Sequence, residues 1–109
     1  MSTRNERVAK RKRLDQRRKL DEILSQGRGI AASAETPDRP GIHQTVFIRR
    51  TRDGMVSVQV EHYYPTSWDD TLDEAEHRFA TLEEALVWVE STCGIPWAEF
   101  HEPRAPRTP

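Results

Sequence analysis

The chain holds one cysteine, Cys93, in 109 residues. No internal disulfide can form, which fits a reducing compartment. No apolar run approaches the roughly 18 residues needed to cross a bilayer, and the basic start is not followed by the apolar segment of a signal peptide. These absences lead to the expectation of a cytoplasmic protein without membrane contact. Glycine is scarce too, and each of the five has structural work to do: Gly27 and Gly94 end helices, Gly29 and Gly41 belong to a linker, and Gly54 makes a turn. None is left over for a loop that cradles phosphate.

Catalytic groups are equally thin. His43, His62, His77 and His101 show no HxH, HxxxH or HExxH spacing, so no metal centre is expected. No GxSxG stretch is present. Cys93 falls at the C-terminal end of a predicted helix, where the dipole disfavours a thiolate, and it reads as a small core residue. The expectation is a non-enzymatic protein that uses no cofactor.

What the chain has in quantity is charge. Charged residues make up 32% of it against 35% hydrophobic, a balance that allows only a modest core. The formal net charge of −1 hides an asymmetry. Residues 1–28 hold ten Lys and Arg against four acids, a net +6, and the other 81 hold seven against fourteen, a net −7. The run "KRKRLDQRRK" over residues 10–19 puts seven cations in ten positions. A basic arm on an acidic body points to a polyanionic partner.

Four segments follow along the chain. Residues 1–26 form a long basic helix, free of Gly and Pro, that ends at Gly27. Opposite charges four apart, such as Glu6 with Lys10 and Arg18 with Glu22, support it without a core. Its apolar residues gather only at the end, in Leu20, Ile23 and Leu24, so the last turns should dock while the rest projects. Residues 27–41, rich in Gly, Pro and small side chains, read as a flexible linker that could include a helical turn at 30–35.

Residues 42–101 form the compact unit. Two β-rich runs meet at Arg52-Asp53-Gly54. A three-residue loop with a left-handed Gly54 places Val46, Ile48, Val56, Val58 and Val60 on one face, whereas a two-residue loop would split that set. The opposite face then carries His43, Thr45, Phe47, Arg49, Ser57, Gln59, Glu61 and Tyr63. Residues 65–75 read as an acidic loop around Trp68, Asp69 and Asp70, and 76–80 as a short third strand with Phe79 turned inward. Thr81 and Glu84 make a capping box for a helix over 82–93, whose stripe of Leu82, Ala85, Leu86, Val89 and Cys93 should cover the aliphatic face. Ile95, Trp97 and Phe100 should fold back against the core. Residues 102–109, with a PxxPxxP spacing from Pro103 to Pro109, read as a disordered Pro-rich tail.

The expected architecture is therefore α+β: an antiparallel hairpin or three-stranded sheet covered by one C-terminal helix and preceded by a long basic helix. Its order of helix, three strands and helix resembles that of the double-stranded-RNA-binding domain. The hairpin followed by "TLEEAL" is similar to the sheet-and-helix unit of HicB-like antitoxins. Both are likenesses of shape over residues 42–93. The RNA-binding family places basic residues at the start of its second helix, where this chain has Thr81-Leu82-Glu83-Glu84, a group that repels phosphate.

Two binding readings follow. In one, Lys10, Arg11, Lys12, Arg13, Arg17, Arg18 and Lys19 engage the phosphates of RNA or DNA without reading sequence. In the other, the protein is a regulator or inhibitor that docks on a larger protein through Phe47, Arg49, Tyr63, Trp68, Asp69 and Asp70. The basic helix then serves assembly, against an acidic protein surface or in a homodimer.

Overall fold

Local sequence accounts for most of the elements. In the computed structural model, which describes residues 4–66 and 71–103 with the side chains of 4–13 excepted, helix α1 spans Arg4–Ser25. It closes with a pair of bonds typical of a left-handed stop: the Arg28 N–H donates to Ile23 O at 3.2 Å and the Gly27 N–H to Leu24 O at 3.1 Å. Helix α2, Leu82–Cys93, begins where Thr81 Oγ1 accepts from the Glu84 N–H at 3.2 Å, with Glu83 and Glu84 in its first turn complementing the dipole. It stops at Gly94, φ 72°, where an added Cβ would lie 2.9 Å from Pro37 Cγ; that position suits glycine on conformational and on steric grounds.

Between the helices lies a four-stranded antiparallel meander in the order β1-β2-β3-β4. The strands are β1 (Ile30–Glu35), β2 (His43–Arg50), β3 (Val56–Tyr63) and β4 (Thr71–Phe79). The β2–β3 turn has the three-residue form. Thr51 N–H donates to Met55 O at 2.8 Å, Gly54 N–H donates to Thr51 O at 3.1 Å, and Gly54 has φ 85°. Val46 then pairs with Val60 and Ile48 with Val58, so the aliphatic set shares one face.

Both helices cover that face. Leu20 and Leu24 of α1 and Leu82, Ala85, Leu86, Val89 and Cys93 of α2 are buried in one cluster with Ile30, Ala32, Val46, Ile48, Val56, Val58 and Val60. Trp88 of α2 reaches over β4, with its ring centroid 4.5 Å from that of His77 and 5.6 Å from that of Phe79. Past α2, Ile95 and Phe100 are buried and Trp97 packs against the same core through a short 3-10 turn, Trp97–Glu99. One polar group crosses the core: Gln44, 1% exposed, donates from Nε2 to Cys93 O at 2.6 Å and so satisfies a terminal carbonyl of α2.

Four expectations need correction. The segment 27–41, read as a flexible linker, contains strand β1, which pairs with β2 along its whole length from Ile30↔Ile48 to Glu35↔His43. "IAASAE" has little intrinsic β preference, and partnering with β2 imposes the strand. Its small side chains also leave room for α1 above it. The third strand read at 76–80 is the longer β4, which takes in half of the segment read as an acidic loop, so the sheet has four strands instead of two or three. The core face has two helices over it, because the last turns of α1 join α2 there. Finally, Glu102, the first residue of the segment read as a tail, pairs with Arg28 at 2.7 Å, directly after His101 and Ala31 exchange backbone bonds at 2.8 and 3.1 Å. The backbone bonds form a single bridge on the outer edge of β1, at Ala31. The fourth strand also departs from the helix, three strands, helix order of the resemblance. Residues 104–109 lie outside the described part.

The β4 edge has no neighbouring strand among the described residues. Its backbone is a template for further pairing, and Asp73, Glu74, Glu76 and Arg78 along it oppose such pairing by charge.

Candidate functional site

The strands alternate their side chains, so what the core face gains in aliphatic residues the other face receives as polar ones. Among the described residues no helix covers that second face. Strand register sorts it into rows. At the turn end Arg49 lies opposite Ser57 and Ser57 opposite Arg78. The next row is Ala31, Phe47, Gln59 and Glu76, then come Ser33, Thr45, Glu61 and Glu74, and at the far end Glu35, His43 and Tyr63. The rows run from cationic through aromatic to acidic.

Side-chain hydrogen bonds link each row to the next. Ser57 is 3% exposed, and its Oγ donates to Glu76 Oε1 at 3.1 Å, while Arg78 Nε reaches the same oxygen at 3.2 Å. Those two donors, Arg78 first, hold the Glu76 carboxyl below its ordinary value. Gln59 Nε2 donates to Glu74. In the third row the hydroxyls form a relay. Thr45 Oγ1 gives its single proton to Tyr63 Oη at 3.1 Å, so Ser33 Oγ, 2.9 Å away, must donate to Thr45.

A hollow of about 520 Å³ on this face lies over the first two rows. Phe47, Arg49, Ser57 and Gln59 form its floor, and Arg28 with Glu102 its rim. It exists because β1 brings almost no side-chain bulk there. Ala31 is the neighbour of Phe47, and a Cβ added to Gly29 would sit 3.9 Å from that of Arg49 and 3.3 Å from Ile48 O. Phe47 keeps 39% of its surface exposed.

The basic helix presents a second candidate surface. Arg18 and Lys19 are exposed, whereas Arg17 turns back to α2 and pairs with Glu83 at 3.3 Å. Asp21 of the same helix pairs with Arg50 at 3.5 Å, and Gln16 Nε2 donates to Phe100 O at 3.3 Å. One side of α1 is therefore committed to the body. The side chains of Lys10, Arg11, Lys12 and Arg13 lie outside the described part.

A third cluster sits at the opposite corner. His62 Nδ1 is 2.5 Å from Asp73 Oδ1, and Arg39 donates to Asp73 Oδ2 at 3.1 Å. His62, then Arg39, holds the Asp73 carboxyl below its ordinary value. This corner ties the β1–β2 loop to β3 and β4. Burial raises the Cys93 thiol, which suits a core residue. Among the described residues no three His, Cys, Asp or Glu side chains gather as metal ligands. No helix is long and apolar enough to cross a membrane, again among the described residues.

Of the residues singled out from sequence, the structure brings Phe47, Arg49 and Tyr63 onto one face. Phe47 and Tyr63 are nonetheless two rows apart, and only Phe47 and Arg49 share the hollow. Trp68, Asp69 and Asp70 lie outside the described residues. Arg28 and Arg78 belong to the site and were missed. Arg78 became visible only with β4 in register, and Arg28 only once residues 30–35 formed a strand. The chain matches no protein-family model, no curated protein and no solved structure.

Proposed function

We propose that this protein is a non-enzymatic nucleic-acid-binding module whose helix α1 contacts phosphates without reading base sequence. One observation carries the reading. Arg18 and Lys19 face solvent on a helix that Leu20 and Leu24 anchor in the core, one turn after a stretch, residues 4–13, with six basic residues and one acid. A cation on an anchored helix loses little freedom on meeting a phosphate, and a row of them suits a polymer with regularly spaced charge. A helix of 22 residues is about 33 Å long, enough to follow several phosphates. Positional charge of this kind supplies affinity and no base discrimination.

The test is charge reversal in the full chain. R18E/K19E should weaken binding to a labelled duplex and reduce the slope of log K against log salt by about 2, one unit per lost contact. Arg17 is a poor choice because it already pairs with Glu83. An unchanged affinity and slope would remove the proposal. So would freshly extracted protein that carries no nucleic acid at low salt and runs larger than a monomer, a result that would make α1 an assembly helix.

A further inference from the structure

The open face of the sheet adds something the helix lacks, an aromatic ring in a recess bordered by guanidinium groups. We infer that this face takes an unpaired stretch of nucleic acid, with one base stacked on Phe47 and the adjoining phosphates on Arg49 and Arg78. The inference rests on the proposed function and narrows it to single strands.

Three features point the same way. The first is the cationic row. Arg49 and Arg78 stand on strands two apart, roughly 10 Å from each other across the sheet, and Arg28 flanks them at the rim of the hollow. Arg49 is exposed and has no carboxylate within ion-pair distance among the described residues. Arg78 and Arg28 hold Glu76 and Glu102 in exposed pairs, which are weak enough to be exchanged for phosphate.

The second is the position of Phe47, two residues along β2 from Arg49 and so roughly 7 Å from it, on the same face. Its ring is open because Ala31 beside it is small, and its cross-strand partner Gln59 carries an amide suited to the polar edge of a base. A base in a duplex has both faces stacked and cannot offer one to Phe47. An unpaired base can, and base–aromatic stacking tolerates any sequence. The hollow, about 520 Å³, has room for a nucleotide unit and not for a double helix.

The third is the acidic row. Glu61 and Glu74 lie one row beyond Phe47 and repel a phosphate backbone that strays toward Tyr63. The chain of phosphates is therefore held at the turn end, crossing the strands instead of following them.

The experiment measures anisotropy of labelled oligothymidylate and oligouridylate of about 12 nucleotides, and of a blunt duplex of the same length, with the full chain at fixed salt. The intact protein should prefer at least one single strand to the duplex. F47A should lose about 5- to 150-fold on that single strand and leave duplex affinity unchanged, while F47Y should retain binding because the stacking face survives. R49E should weaken the single strand more than the duplex. Phe47 is partly exposed, so F47A should keep the thermal midpoint of the parent, and F47Y guards against an error on that point. If the single strands bind and F47A changes nothing, or weakens duplex equally, the inference falls while the helix reading stands. If R18E/K19E abolishes duplex binding and no single strand is preferred, the inference falls in the same way. If the intact protein binds no nucleic acid, or if F47A disrupts only a protein complex, both fall.

Discussion

The two faces of one sheet are built from alternate residues of the same strands and have opposite fates. On β2, Val46 and Ile48 are fully buried under the helices, and Phe47 and Arg49, which alternate with them, are exposed. On β3, Val58 and Val60 are buried and Gln59 and Glu61 are partly open. The covered face is uniform in chemistry and depends on shape. The open face is graded from cationic to acidic, held by hydroxyl relays and exposed ion pairs that contribute little to stability. Residues one apart in sequence therefore serve different purposes, and substitutions should separate stability from binding with single-residue resolution.

The sharpest way to break this comparison is to exchange neighbours. Ile48→Ala should destabilise by about 2–5 kcal/mol and lower the melting temperature by at least about 8 °C. Arg49→Ala, the next residue, should change stability by no more than about 0.5 kcal/mol. Equal effects in thermal melts would mean that the open face is covered after all. Leu24→Ala comes next, with a loss of at least about 2 kcal/mol, because the last turns of α1 belong to the covered face. Removing residues 1–28 should unfold much of the protein. A folded 29–109 fragment with an unaltered melt would contradict the placement of Leu20 and Leu24.

Gln44→Leu follows. It keeps the volume and leaves the Cys93 carbonyl without its donor, at about 1–3 kcal/mol, read from denaturant midpoints. Thr81→Ala should cost about 1 kcal/mol through loss of the α2 cap, with Thr81→Ser restoring most of it. The smallest effect belongs to the His62–Asp73–Arg39 corner. The depressed Asp73 carboxyl contributes stability that is complete above its ordinary pKa of 3.8 and lost as pH falls through the lower folded value. Asp73→Asn should flatten the pH dependence of the melt below about pH 4 and change nothing at neutral pH beyond the loss of an exposed pair. A variant whose melt fell with acid as steeply as the parent's would overturn the assignment to Asp73.

Legibility in the sequence tracked how local each signal is. The turn at Gly54, the Thr81 cap, the stripe of α2 and the docking of Leu20 and Leu24 are set by neighbours within a few residues, and each stands where the pattern put it. Strand β1 was not legible. Its Ala and Ser residues carry no period-two signal, and Ser33 and Ala34 acquire their faces only from pairing with Thr45 and Gln44. Strand β4 was half legible, because Asp73, Glu74 and Glu76 look like a loop until β3 supplies the ladder. For the site, Phe47 and Arg49 were placed on one face by alternation alone. Their partners Arg78 and Arg28 come from distant segments, and only the completed sheet sets Arg78 in the row of Arg49 and Arg28 at the rim of the hollow.

The sequence by itself determined the charge division between arm and body, the β2–β3 register, the covered aliphatic face and the ends of both helices, since each depends on residue types at short, fixed spacing. Tertiary structure alone decided that four strands form, that both helices choose the same face, and that the other is left open with a recess beside Phe47. Those outcomes depend on which segments meet across long stretches of chain. Small residues such as Gly29 and Ala31 have no pattern to announce the space they leave; it becomes a hollow only when larger neighbours are set around it.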